Sequence, residues 1–224
     1  MTRAEGRDTR HAFSFGEHYD PEHVGFGPMV CHDEHSLGGG RGFPEHEHRD
    51  TEIVTWVLDG VLEHSHAVGS ASHTGRLAPG FVQVLSAGSG VSHSEIAATG
   101  IGITRFVQVR LTPDETSTQP SYVVAPVHLE TGAWTLVASG QDPAAPVRIG
   151  TSSASFWAVR LEAGATTSLP DAERQHLFVS RGALTRSSLA EPLSAGDAFL
   201  LTDHPGIEVT AAVPTELLLW TFTG

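Results

Sequence analysis

The 224 residues are enough for one large β domain or two small ones, and 24 glycines and 13 prolines with few helical runs favour short strands joined by tight turns. Against 26 acidic residues stand only 13 basic ones, a formal charge of −13 with no basic stripe, which excludes direct binding to a nucleic-acid backbone. No apolar run reaches membrane-spanning length, the opening Met1–Asp8 is polar without an apolar core, and Cys31 stands alone, so the expected compartment is a reducing cytoplasm.

From the N-terminus, His11-Ala12-Phe13-Ser14-Phe15 reads as a short strand that runs into a loop by Pro21, with His11 and His18 as surface or hydrogen-bonding groups. Met29-Val30-Cys31-His32-Asp33-Glu34-His35 collects thiol, imidazole and carboxylate, but on a strand Cys31 and His32 face opposite ways, which argues against a metal there. Leu37–Gly42 is a flexible turn. It leads into Phe43-Pro44-Glu45-His46-Glu47-His48, where alternation puts His46 and His48 on one face and leaves Glu45 and Glu47 as solvated charges.

Ile53–Leu58 is strongly β, and Asp59-Gly60 reads as a hairpin turn returning through Val61–His64. His64-Ser65-His66 forms a second H-x-H; without a partnering carboxylate strand it reads as an exposed polar hairpin face. Gly69–Gly80 is turn-rich, Phe81–Leu85 is a strand, and Gly88-Ser89-Gly90 reverses the chain before Val91-Ser92-His93-Ser94-Glu95. Strands at Gly102–Leu111 and Tyr122–Leu129 follow. About eight short antiparallel strands at this spacing imply a barrel or jelly roll.

His93 and Glu95 also share a face. Were the two ligand strands to meet, His46, His48, His93 and Glu95 would surround a divalent metal at roughly 2.0–2.2 Å. Glu52 shares the face of His48 and competes with Glu95 for the fourth position. Three imidazoles and one carboxylate leave one or two open positions, an arrangement suited to Fe(II), Mn(II), Ni(II) or Co(II).

The second half repeats the plan. Phe178–Gly182 resembles Trp56–Gly60, and Ser194–Leu200 resembles Ala78–Val84. Aligning Gly60 with Gly182 and Gly80 with Gly196 places Ser168, Pro170, Val209 and Ala211 where the four ligands stand, and none of these holds a metal as they would. The expected organisation is all-β and bicupin: a metal-binding barrel over 1–138 and a degenerate one, without a metal site, over 139–224.

With those strings in view, the chain resembles the pirin family of the cupin superfamily. The matching stretches are His11–Phe15, Gly42-Phe43-Pro44-x-His46-x-His48-Arg49-x-x-Glu52, Thr55-x-Val57-Leu58-x-Gly60-x-x-Glu63-His64 and Ser86-Ala87-Gly88-x-Gly90-Val91-x-His93-Ser94-Glu95. Two positions depart from the pattern: Glu47 stands where proline is usual and His66 where aspartate is usual. The resemblance implies a mononuclear centre held by His46, His48, His93 and Glu95, with Fe(II) foremost and Mn, Ni, Co, Cu or Zn as alternatives. Its quercetinase-like members imply a quercetin 2,3-dioxygenase that takes a flavonol-like molecule and dioxygen, with Glu95 as general base for the substrate hydroxyl. Phe43 and Trp56 are candidates to stack on the substrate. Other members imply a different role, a metal-dependent regulator that binds a protein partner.

Overall fold

The computed structural model describes residues 1–17, 19–68, 71–186 and 191–224, with only the backbone of Ala71; His18 lies outside them. Eleven strands make the first part: β1 (Thr2–Ala4), β2 (Arg7–His11), β3 (Met29–Leu37), β4 (Gly42–His48), β5 (Glu52–Asp59), β6 (Leu62–Val68), β7 (Ala71–Leu77), β8 (Phe81–Ser86), β9 (Val91–Ala97), β10 (Thr104–Leu111) and β11 (Ser121–Pro126). Eight more follow: β12 (Thr135–Ser139), β13 (Val147–Arg148), β14 (Ala154–Leu161), β15 (Thr166–Ser168), β16 (Arg174–Arg181), β17 (Ala198–Thr202), β18 (Glu208–Thr210) and β19 (Thr215–Phe222). Among the described residues there is no helix long and apolar enough to cross a membrane.

The chain forms two compact units, Met1–Pro126 with Ile149–Thr151, and Val127–Arg148 with Ser152–Gly224. The division falls before the expected 138/139, because β12 hydrogen-bonds to β14 and so belongs with the second unit. The excursion of Ile149–Thr151 also has a cause. Buried Glu52 accepts hydrogen bonds from the Gly150 amide (3.0 Å) and the Ser86 hydroxyl (2.8 Å), and Thr151 Oγ1 donates to the Thr112 carbonyl (2.8 Å). Glu52 is thereby committed to structure and touches no imidazole through these bonds.

The first unit pairs a seven-stranded sheet, β1-β2-β3-β10-β5-β8-β11, with a four-stranded sheet, β4-β9-β6-β7. The expected Asp59-Gly60 hairpin does not form, since β5 and β6 belong to different sheets. Gly60 (φ +76°) turns the chain from one to the other with its backbone against Thr104, where a Cβ would lie 2.8 Å from Thr104 Cα. The turn-rich Gly69–Gly80 stretch proves to contain β7.

Period-two alternation fills the space between the sheets in layers. Leu37, Val57, Leu62, Leu77, Ala97 and Phe106 form one buried apolar cluster, and Ile53, Leu85, Ala87 and Val91 another. On β9 the inward residues between Val91 and Ala97 are His93 and Glu95; on β6, His64 and His66 follow Leu62; on β5, Thr55 separates Ile53 from Val57. A polar layer is thus held between two apolar ones.

In the second unit, a six-stranded sheet, β13-β12-β14-β19-β16-β17, and the β15-β18 pair enclose an apolar core that includes Leu169, Leu177, Val179, Val209, Ala211, Leu217 and Leu219. Two of the positions aligned in sequence with the first unit's candidate ligands, Val209 and Ala211, are core residues here.

Candidate metal centre

Antiparallel register brings the ligand strands side by side. On β4 a bulge absorbs Pro44 and Glu45, so that Phe43 faces Glu95 and His46 faces His93. On the other side of β9, His64 faces Glu95 and His66 faces His93. The ring centres of His46, His48 and His93 lie 4.3, 4.9 and 5.0 Å apart, and one ligand atom from each falls within 4.8 Å of the others. His64, His93 and Glu95 form a second such triad, entirely buried and sharing His93 with the first. These are the two groups of three or more His, Cys, Asp or Glu ligands among the described residues, and Cys31 is in neither.

The three anticipated histidines thus form one triad, while anticipated Glu95 falls in the other with His64, and His93 belongs to both. The expectation of an exposed His64 fails: its side chain has no exposure, because β6 presents it inward between Leu62 and His66. Trp56 is only 2% exposed and cannot stack on a substrate at a mouth. Phe43 packs against the Leu37/Phe106 cluster, beneath the Arg7 guanidinium at 4.6 Å.

Residues from the seven-stranded sheet hold this layer in place. Gln108 Nε2 donates to both Glu95 carboxylate oxygens, at 2.8 and 2.9 Å, and lies 3.4 Å from Thr55 Oγ1. Gln83 Nε2 donates to His64 Nδ1 at 3.4 Å, while the Tyr122 hydroxyl donates to Gln83 Oε1 at 3.1 Å. Tyr122 stacks on His64 with centroids 5.0 Å apart. Gln108, Thr55 and Gln83 are direct cross-strand neighbours on β10, β5 and β8, a row opposite the histidines. Nothing in the histidine motifs points to these residues; an inward-facing glutamine within an apolar strand was the available signal.

Protonation favours ligation. Burial depresses His93 to about 3 and His48 to about 4, with neighbouring imidazoles adding to the effect. Burial alone would raise Glu95, but contact with His64, the nearness of His93 and the Gln108 amide outweigh it and hold the carboxyl down at about 2. At neutral pH His48 and His93 are thus unprotonated imidazoles near the Glu95 carboxylate, the forms that bind metals. His46 Nδ1 donates to the Pro44 carbonyl (2.8 Å), which leaves Nε2 as its free lone pair. Both ring nitrogens of His93 are buried without a hydrogen-bond partner among the described residues, a costly condition that a bound cation would relieve at one of them. Nitrogen and oxygen donors at this spacing fit a divalent transition metal.

A family model described as pirin matches residues 1–111. A Caulobacter vibrioides "Pirin-like protein" is 32% identical over 217 residues, covering 94% of this chain and 90% of the relative. The chain belongs to the pirin family. A Mycobacterium tuberculosis protein named "Putative quercetin 2,3-dioxygenase Rv0181c" is 41% identical over 225 residues, covering 98% of this chain and 90% of the relative. Among solved structures, an Escherichia coli bacterial pirin, YhhW, in complex with nickel(II) has a TM-score of 0.87 at 25% identity, covering 100% of this chain and 95% of that one. That pirin binds nickel, and the fold it shares with this chain is the all-β architecture described above.

Proposed function

We propose that His46, His48, His93 and Glu95 hold one divalent transition metal, and that the first unit uses it to open the central ring of a flavonol with dioxygen. The two triads that share His93, whose ring nitrogens have no hydrogen-bond partner among the described residues, support the reading. When bound, the metal would supply Lewis acidity and a place for substrate oxygens and dioxygen to meet. One dioxygen would be consumed, one carbon would leave with one oxygen as carbon monoxide, and the ring-opened ester would keep the remaining atoms.

The chain's own part is proton handling and exclusion of water. The Glu95 carboxylate would accept the proton of the flavonol 3-hydroxyl, and Gln108 keeps it aimed. The apolar clusters above and below the polar layer keep bulk water from the reacting groups. The relative named as a quercetin dioxygenase supports the same substrate class.

Incubating the metal-loaded protein with quercetin in air, while following loss of its long-wavelength absorption and carbon monoxide release, tests the activity. Turnover by wild type that is lost in metal-loaded Glu95→Gln is the expected result. No turnover with Fe, Mn, Ni, Co or Cu would overturn the proposal.

A further inference from the structure

The β6–β7 hairpin carries histidines that the centre above does not use. His66 is paired directly across the strands with His73, His66 also faces His93, and His93 faces His46. Four imidazoles thus stand in one row across all four strands of the smaller sheet. Directly opposed positions of an antiparallel pair bring Cβ atoms within about 4.5–5.5 Å, close enough for two histidines to share an ion.

The rings fit that use. The centres of His66 and His73 are 5.3 Å apart, with planes inclined at 40°. Two imidazoles on one tetrahedral ion, each with its nitrogen about 2.0–2.1 Å away, have ring centres about 5 Å apart. His46–His48 and His48–His93 show similar separations, 4.9 and 5.0 Å.

Two further observations point to a ligand. His66 Nδ1 is buried and has no hydrogen-bond partner among the described residues. The absence of a side chain at Gly75 also keeps space open beside the pair: a Cβ there would lie 3.4 Å from His73 Nε2 and 3.8 Å from the Tyr122 hydroxyl. Tyr122 walls this space, with its ring 4.4 Å from that of His66 and 5.4 Å from that of His73, while its hydroxyl is engaged with Gln83. His73 is exposed and His66 half-buried, so an ion can arrive from solvent.

We propose that His66 and His73 form a second transition-metal site, separate from the centre at His46, His48, His93 and Glu95. Two imidazole ligands with water completing the sphere select borderline cations such as Zn(II), Cu(II) or Ni(II) over Mg(II) and Ca(II). With only two protein ligands the site binds more weakly than the four-ligand centre. His66 stands where the pirin pattern usually has aspartate, so the site is a property of this chain.

Equilibrium dialysis of tag-free, metal-free, full-length protein against zinc, followed by elemental analysis, tests it. Wild type is expected to take up two equivalents, His73→Gln one, and His46→Ala/His48→Ala one. Because His73 is exposed, its replacement should leave the thermal melt of the metal-free protein unchanged. Uptake by His73→Gln equal to that of wild type would overturn the proposal. A single equivalent in wild type that His73→Gln abolishes would uphold it while refuting the four-ligand centre.

Discussion

Replacing Gln108 with leucine tests whether Glu95 is held as a buried anion. Glu95 is 1% exposed, and the Gln108 amide lies within 2.8–2.9 Å of both its oxygens. A hydrogen bond to a charged group contributes about 1.5–3 kcal/mol, and the larger figure applies when the charge left behind is out of reach of water. The amide shares this task with His64 and His93, which contribute more to holding the carboxyl down. A carboxyl held at about 2 rather than 4.5 stabilises the fold above pH 4.5, and that contribution is lost as pH falls from 4.5 to 2, in all about 3 kcal/mol. Urea unfolding of metal-free protein at pH 7 should therefore show Gln108→Leu destabilised by about 3 kcal/mol. In a Glu95→Gln background, where no charge is stranded, the same replacement should cost about 1 kcal/mol. The coupling of about 2 kcal/mol is the diagnostic quantity. Equal costs in both backgrounds would mean that Gln108 contributes packing alone, and would refute the reasoning.

Other outcomes follow from the same structure. Gly60→Ala forces a side chain into a +76° φ against Thr104 and should cost about 3 kcal/mol, roughly 6–12 °C in melting temperature by calorimetry; a change below 2 °C would contradict the close approach. Glu52→Ala strands the Gly150 amide and the Ser86 hydroxyl, so hydrogen exchange at Gly150 should accelerate at least tenfold while amides of β16 stay protected. Burial holds His176, which has no exposed surface, at about 4 instead of 6.5, so the unfolded chain gains a proton that the folded one refuses as pH drops from 6.5 to 4. Relative to His176→Gln, wild type should lose about 2 kcal/mol between pH 7.5 and pH 5, and a pH-independent difference would count against it.

The clustering of His46, His48 and His93 was legible because its information is local. Residues two apart on a strand share a face whatever the surrounding fold, so H-x-H and H-x-E each declared their pair. The degenerate second half was legible for the same reason, since Val209 and Ala211 stand where donors would be needed. What escaped depends on pairing between distant strands. Gln108 and Gln83 reach the centre from the opposite sheet, and their role requires knowing that β10, β5 and β8 are neighbours. Asp59-Gly60 carries the local chemistry of a hairpin, yet β5 and β6 pair with other strands, and Gly60 turns a corner between sheets. His64 could be read as exposed or buried until the partner of β6 was known.

Anomalous diffraction from crystals grown with nickel tests the central claim most directly. The account predicts a peak within about 2.0–2.2 Å of His46, His48, His93 and Glu95 donor atoms together. A nickel-loaded crystal with no peak touching His93, or with Glu95 still on Gln108 and all three imidazoles turned from the ion, would contradict it.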